Sequence, residues 1–199
     1  RNQKVFFAIT TSAPMENTVL VKDGKVEISV KSVDGIKTGG QFFFPSNTDS
    51  VEVKVAVSSV SIANAKENLA TYGNEKSFDS AKKEAEEDWN TILSKIQVET
   101  PLDSLKTIFY TALYHTQLAP VLFSDVNGQF RLQNDSIVNQ KDGDVNSTLS
   151  LWDTFRAENP LLNILEPERV NDMISSMLAY YDEQGRLPVW TLYGNETNT

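Results

Sequence analysis

Residues 51–69 read VEVKVAVSSVSIANAKENL, and the chain changes character inside them. Val51, Val53, Val55 and Val57 recur at every second position, the period of a strand whose alternate side chains share a face. Beyond Ser61 the alternation stops and Ala63–Leu69 takes up helical spacing. Upstream, Val26, Ile28 and Val30 alternate after the turn-forming Asp23-Gly24. Phe42-Phe43-Phe44, between Gly39-Gly40 and Pro45, reads as a strand with both faces covered. Helical periodicity is missing there, so an antiparallel sheet, or a piece of a sandwich, is expected.

Downstream the spacing is helical. Ala81, Ala85, Trp89, Ile92 and Ile96 form one stripe of a helix over Ser80–Ile96, with the charged run Lys82–Asp88 as its solvated face. Asp103 or Ser104 is the expected cap of the next helix, whose Leu105, Ile108, Phe109, Ala112, Leu113 and Thr116 keep the period until the Pro120 region ends it. Asn127-Gly128 signals a turn, and Asn134–Asn146 reads as a polar loop without a packing pattern. The last helix opens at Pro167, is expected to bury Val170, Ile174, Met177, Leu178 and Tyr181, and stops at Gly185. The switch from β to α over residues 60–100 reads as a domain boundary. The amphipathic helices are too few to close a helical toroid, so further polypeptide or another chain is expected to cover them.

Composition narrows the function. Asp and Glu number 27 against 18 Lys and Arg, a balance unsuited to neutralising phosphates, so charge argues against a general nucleic-acid binder. No apolar run approaches membrane-spanning length, and the opening RNQKVFFAITTSAP is too short and weakly apolar for a signal peptide. Cysteine is absent, which removes disulfides, thiolate nucleophiles and cysteine-bound metals. The single histidine, His115, removes multi-histidine metal sites. His115 itself reads as a buried or half-buried imidazole bonded to a neighbour, or as a ligand contact.

Two short motifs carry the chemistry. In Trp152-Asp153-Thr154-Phe155-Arg156, Asp153 either caps a helix while Trp152 packs in the core, or accepts sugar hydroxyls while Trp152 offers a ring face. In the second reading Arg156 orients Asp153 by a bidentate hydrogen bond. Trp190-Thr191-Leu192-Tyr193-Gly194-Asn195-Glu196-Thr197 is rich in groups that grip polyols, with Glu196 either a pocket carboxylate or an exposed loop residue. Glycoside hydrolysis needs two carboxyl groups at a set separation, about 5 Å for retention and about 6.5–9.5 Å for inversion, and Asp153 with Glu196 is the pair to test. Phe123–Gly128 has too few regularly spaced oxygens for an EF-hand calcium loop, and Asp125 is expected to organise the turn.

Several longer motifs, in order, carry a resemblance: FYTALYHT from Phe109, LAP from Leu118, FSDVNG from Phe123, SLWDTFRA from Ser150, PERVND from Pro167 and GNET from Gly194. Over residues 50–199 the chain resembles glycoside hydrolase family 92, the calcium-dependent, inverting, exo-acting α-mannosidases of glycan-foraging bacteria. The resemblance implies a β-sandwich portion followed by the opening helices of an (α/α)6 barrel, an incomplete multidomain glycosidase. Its divisions would be the end of the sandwich over 1–62, a helical linker over 63–103 and the start of the catalytic barrel over 104–199. It implies hydrolysis of terminal α-mannosides, α-1,2 linkages foremost, by single displacement, and a periplasmic or cell-surface location. Asp153 would contact the terminal mannose, Trp152 and Arg156 would shape the pocket, and Glu196 would line the same side. No catalytic acid, base or metal ligand is assigned here; these, with the Ca2+ ligands, are expected mainly beyond residue 199. Its partners are accordingly expected to be α-mannoside glycans and the remainder of its own catalytic domain, and the chain by itself is expected to be inactive. One departure is the loop after Arg131, where the family usually carries a histidine and this chain has Asn134–Asn139. The alternative is a non-catalytic carbohydrate-binding or structural module.

Overall fold

The computed structural model describes residues 3–27, 30–33, 35–73, 76–140 and 143–196. Ile28 of the expected second strand and Thr197 of the GNET motif lie outside the described residues. The chain divides into two compact units, Ile9–Val55 and Arg1–Ala8 with Ala56–Thr199.

The first unit is built on the antiparallel sheet β3-β2-β4, with β2 over Asn17–Lys22, β3 over Lys25–Glu27 and β4 over Thr38–Phe43. Asp23-Gly24 makes the β2–β3 hairpin, both residues at positive φ (49° and 81°), a conformation in which glycine is unstrained. β4 does not have the two covered faces expected of it. Phe42 and Phe43 are 45% and 46% exposed, and every residue of β4, an outer strand of this three-stranded sheet, is exposed.

The strand β1 (Phe6–Thr11) pairs with β5 (Val53–Ser58). Alternation holds in β5, but the valine row Val53, Val55 and Val57 is exposed while Ala56 and Ser58 face inward. Ala56 packs with Ala8, Ala65 and Leu69, which places helix α1 (Ile62–Gly73) on the small-residue side of the strand. A small-residue face lets the helix approach closely; a valine face there would hold it away.

Helix α2 (Phe78–Leu93) is capped by Ser77, whose Oγ accepts the Ser80 N–H. None of its residues is buried, so the expected stripe is largely open in this chain, with Trp89 packing its ring against Tyr114 at 4.6 Å. Helix α3 (Asp103–His115) starts after Leu102, which makes no side-chain cap; Asp103 lies inside the first turn and neither expected cap operates. Of its apolar stripe only Leu113 is buried, while Leu105 and Ile108 are 51% and 64% exposed.

Short strands follow: β6 (Val121–Leu122), β7 (Gln129–Arg131), β8 (Ile137–Asn139) and β9 (Asn146–Ser147). β7 and β8 form a hairpin pair and β9 returns to β6. The expected patternless loop thus contains strand β8 and the first residue of β9. Of its apolar residues, Val145 is wholly buried with Phe130, Leu132 and Tyr180 and Val138 packs against them, while Ile137 is 49% exposed. Helices α4 (Leu151–Thr154), α5 (Glu158–Leu165) and α6 (Pro167–Gln184) lead to the hairpin of β10 (Thr191–Leu192) and β11 (Asn195–Glu196). Pro167 opens α6 and Gly185, at φ 71°, closes it, as its sequence implies. Its buried face is rotated from the expected one. Met173, Ser176 and Tyr180 are buried and Val170 and Met177 partly so, whereas Ile174, Leu178 and Tyr181 are 46–51% exposed. Among the described residues no helix is long and apolar enough to cross a membrane.

Candidate functional site

The segment before α4 and the segment entering β10 run antiparallel. The Leu151 N–H donates to the Val189 carbonyl at 3.0 Å, the Thr191 N–H to the Leu149 carbonyl at 2.9 Å, and Ser150 stands opposite Trp190 in an isolated bridge. Beneath them two buried hydroxyls act as fasteners. Thr191 Oγ1 accepts the Leu149 N–H at 3.1 Å and Ser147 Oγ accepts the Tyr193 N–H at 2.6 Å. Backbone pairing therefore brings the two sequence motifs to one place.

Ser150 is the cap of α4. Its Oγ accepts the Asp153 N–H at 3.3 Å and donates its proton to Asp153 Oδ2 at 2.7 Å. The Thr154 hydroxyl donates to the Ser150 carbonyl and closes the same turn. Asp153 is thus freed from the capping role, and Trp152 is not core: it is 75% exposed. Asp153 Oδ2 has a second donor, the Trp190 indole Nε1–H at 3.3 Å. The main-chain N–H of Trp190 donates to Glu196 Oε1 at 3.1 Å and that of Val189 to Glu196 Oε2 at 3.2 Å. One tryptophan therefore touches both carboxylates, through its ring on one side and its backbone on the other. The bidentate bond from Arg156 to Asp153 is not formed; the Arg156 guanidinium lies over the Phe155 ring at 5.3 Å from its centre. Phe155 is 54% exposed, and a cation–π contact holds a long exposed side chain at modest cost.

Beside this corner lies a cleft of about 390 Å³ whose polar lining includes His115, Ser150, Thr154, Glu158 and Trp190, over Leu149, Leu162, Met173 and Met177. Burial raises the Glu158 carboxyl above its ordinary range, and the Arg169 charge opposes that rise. His115 is exposed, not buried, and stands against the Tyr114 ring at 5.7 Å. Its place in the last turn of α3, whose packing is made through Leu113, leaves the imidazole outside the core.

Asp125 does more than organise its turn. The turn is made by its backbone, the Gly128 N–H donating to the Asp125 carbonyl at 2.8 Å. Its buried carboxylate accepts from Ser58 Oγ at 2.6 Å, Asn64 Nδ2 at 2.9 Å and Asn68 Nδ2 at 2.7 Å, tying β5 and α1 to the β7–β8 hairpin. Arg131 adds a second tie, its Nε and Nη2 donating to the Ser59 and Val60 carbonyls at 2.7 and 2.8 Å. Among the described residues no three His, Cys, Asp or Glu side chains meet where they could hold a metal ion.

Sequence reading missed Ser150, Trp190 as the link between carboxylates, and Glu158. The spacing Ser150-x-x-Asp153 is a capping-box signal that could have identified the first. The other two depend on strand pairing and helix packing, which leave no local mark.

An exposed tryptophan thus adjoins an aspartate whose described donors both fall on one carboxylate oxygen. Residues 64–199 match the glycosyl hydrolase family 92 catalytic domain, and the chain belongs to that family. Among solved structures it is similar to the family GH92 alpha-mannosidase BT3965 from Bacteroides thetaiotaomicron, with 31% identity and a TM-score of 0.85, covering 98% of this chain and 27% of that one. The Bacteroides thetaiotaomicron structure of the inverting mannosidase BT2199, at 24% identity and TM-score 0.85 over 95% of this chain and 26% of that one, shows the same fold. This chain thus spans about a quarter of the length of those relatives. The comparison with curated proteins returned no match.

Proposed function

We propose that these residues belong to an inverting exo-α-mannosidase acting on terminal α-mannosides of glycans, α-1,2 linkages foremost. The observation that carries the reading is the joining of Asp153 and Glu196 through Trp190, beside the exposed Trp152, within the stretch that matches the catalytic domain. It is supported by the names of the similar structures, one an alpha-mannosidase and one an inverting mannosidase. A further structure of the first is a complex with mannoimidazole, at 30% identity to this chain.

In this reading Asp153 accepts hydroxyls of the terminal mannose, Trp152 lies against the sugar's apolar face, and Arg156 and Glu196 shape the pocket. The short sheets and helices would be the end of a β-sandwich over 1–62, a helical linker over 63–103 and the start of an (α/α)6 barrel over 104–199. The exposed helix faces would receive the remainder of the catalytic domain. Calcium, and a periplasmic or cell-surface location, enter on the resemblance alone. Proton transfer is assigned to none of these residues, and the 199 residues by themselves are expected to be inactive.

The test is release of mannose from α-linked mannobiose by the full-length protein, lost on chelation and restored by calcium. Mannoside binding without release would favour the alternative, a non-catalytic carbohydrate-binding module.

A further inference from the structure

We propose that Trp190 is a positioning residue for Asp153, its indole N–H fixing the carboxylate so that one oxygen remains open to a hydroxyl donor. This rests on the reading of Asp153 as the sugar-contacting carboxylate. Among the described residues both donors to the side chain, Ser150 Oγ at 2.7 Å and Trp190 Nε1 at 3.3 Å, converge on Oδ2. Oδ1 receives no hydrogen bond from another described residue. An aspartate on the first turn of a four-residue helix, exposed to water, would otherwise turn freely among its rotamers.

The two donors differ in kind. Ser150 is local and moves with the turn that carries Asp153. Trp190 comes from 37 residues away and is itself fixed. Its backbone N–H is bound by Glu196, its neighbour Thr191 is wholly buried and bonded to Leu149, and it stands opposite Ser150 in the bridge. A main chain held at three points carries the indole, and gives the carboxylate an external reference that its own turn cannot supply. Ordering the side chain before the ligand arrives removes that cost from binding, an effect of about three- to tenfold in affinity for one immobilised side chain. Oδ1 then remains an acceptor with free lone pairs, the group a sugar hydroxyl needs. Glu196 contributes indirectly by setting the main chain of Trp190.

The experiment uses the 15N-labelled full-length protein, in which the indole resonances of Trp89, Trp152 and Trp190 are assigned by single Trp→Phe substitutions. Asp153→Ala is expected to shift the Trp190 indole proton upfield while that of Trp89 stays in place. An unmoved Trp190 resonance overturns the positioning role. Titration with methyl α-mannoside supplies the functional half. Trp190→Phe keeps the ring but removes the donor, and is expected to weaken binding about three- to tenfold with unchanged melting, yet to add no loss in the Asp153→Ala background. Independent losses in the two backgrounds overturn the proposal. Failure of the wild-type full-length protein to bind mannoside sinks the sugar reading, and Trp190's part in it, whereas the indole shift tests the contact by itself.

Discussion

Asp125 and Asp153 are both aspartates in short polar motifs, and their surroundings part them. Asp125 is 6% exposed and both its oxygens are bound, to donors from β5 and α1. Asp153 is exposed, with two donors on one oxygen. A carboxylate whose lone pairs are filled by the protein holds elements together; one left half-filled at the surface has capacity for a ligand. The first kind is costly to remove and irrelevant to recognition, and the second is the reverse.

The sharpest way to break that contrast is Asp125→Ala. Ser58, Asn64 and Asn68 would lose their shared acceptor, leaving buried donors unmet, and we expect a loss of about 4 kcal/mol in chemical denaturation. A loss below about 1 kcal/mol would place Asp125 with Asp153 as a dispensable surface group. Next in size is Gly194→Ala at the hairpin that carries Glu196. Gly194 has φ +80°, and a Cβ there would stand 2.4 Å from the Arg131 carbonyl oxygen and 3.3 Å from the Phe123 ring. Backbone cannot yield as a flexible side chain can, so about 3 kcal/mol is expected, read by thermal unfolding.

Both sites show where sequence reading succeeds and stops. Helices were legible because period and punctuation are local: Pro167 and Gly185 bound α6, and Asn127-Gly128 marks its turn. Which face of each element is covered was not. In β5 the valines that announce the strand are the exposed row, and in α6 the buried line runs through Met173, Ser176 and Tyr180. Amphipathic spacing defines a stripe, but its covered edge depends on what packs there, and Ser176 is buried because its Oγ accepts the Asn146 N–H at 2.8 Å. Asp153 and Glu196 could be nominated from their neighbours. Their junction through Trp190 arises from the pairing of Leu149–Leu151 with Val189–Thr191, which single-chain periodicity does not encode.

A smaller effect should appear beneath the second site at high pH. Burial pushes the Tyr180 phenol up to about 12; Ser147, the Gly194 backbone and Thr191 favour the phenolate and the Glu183 charge opposes it. Its hydroxyl makes no hydrogen bond of ordinary geometry, so burial dominates. The unfolded phenol ionises near its ordinary value of 10.0, so between there and about 12 the unfolded state has lost a proton that the folded state keeps. Stability present below pH 10 is therefore lost as pH rises through that window, by about 2–3 kcal/mol. Denaturation across the window checks this against Tyr180→Phe, which should flatten the slope. An equal slope in the variant would show that the phenol does not contribute.

The smallest effect on stability, and the one that sharpens the contrast most, belongs to Asp153→Ala. The variant loses an exposed carboxylate whose donors, Ser150 and Trp190, can turn to water, and Ser150 keeps its acceptance of the residue-153 N–H, so the cap of α4 survives. Unfolding free energy should change by less than about 0.5 kcal/mol, within the range of ordinary surface substitutions. Mannoside affinity should nevertheless fall at least about tenfold, the loss of about 1.4 kcal/mol expected when a charged acceptor of a sugar hydroxyl is removed. Calorimetric titration of methyl α-mannoside into both proteins reads the second quantity and denaturation the first. Equal affinities would make Asp153 an incidental partner of Ser150 and Trp190. A large stability loss would assign it to the same structural class as Asp125, and in either case the half-filled carboxylate would no longer mark the sugar site.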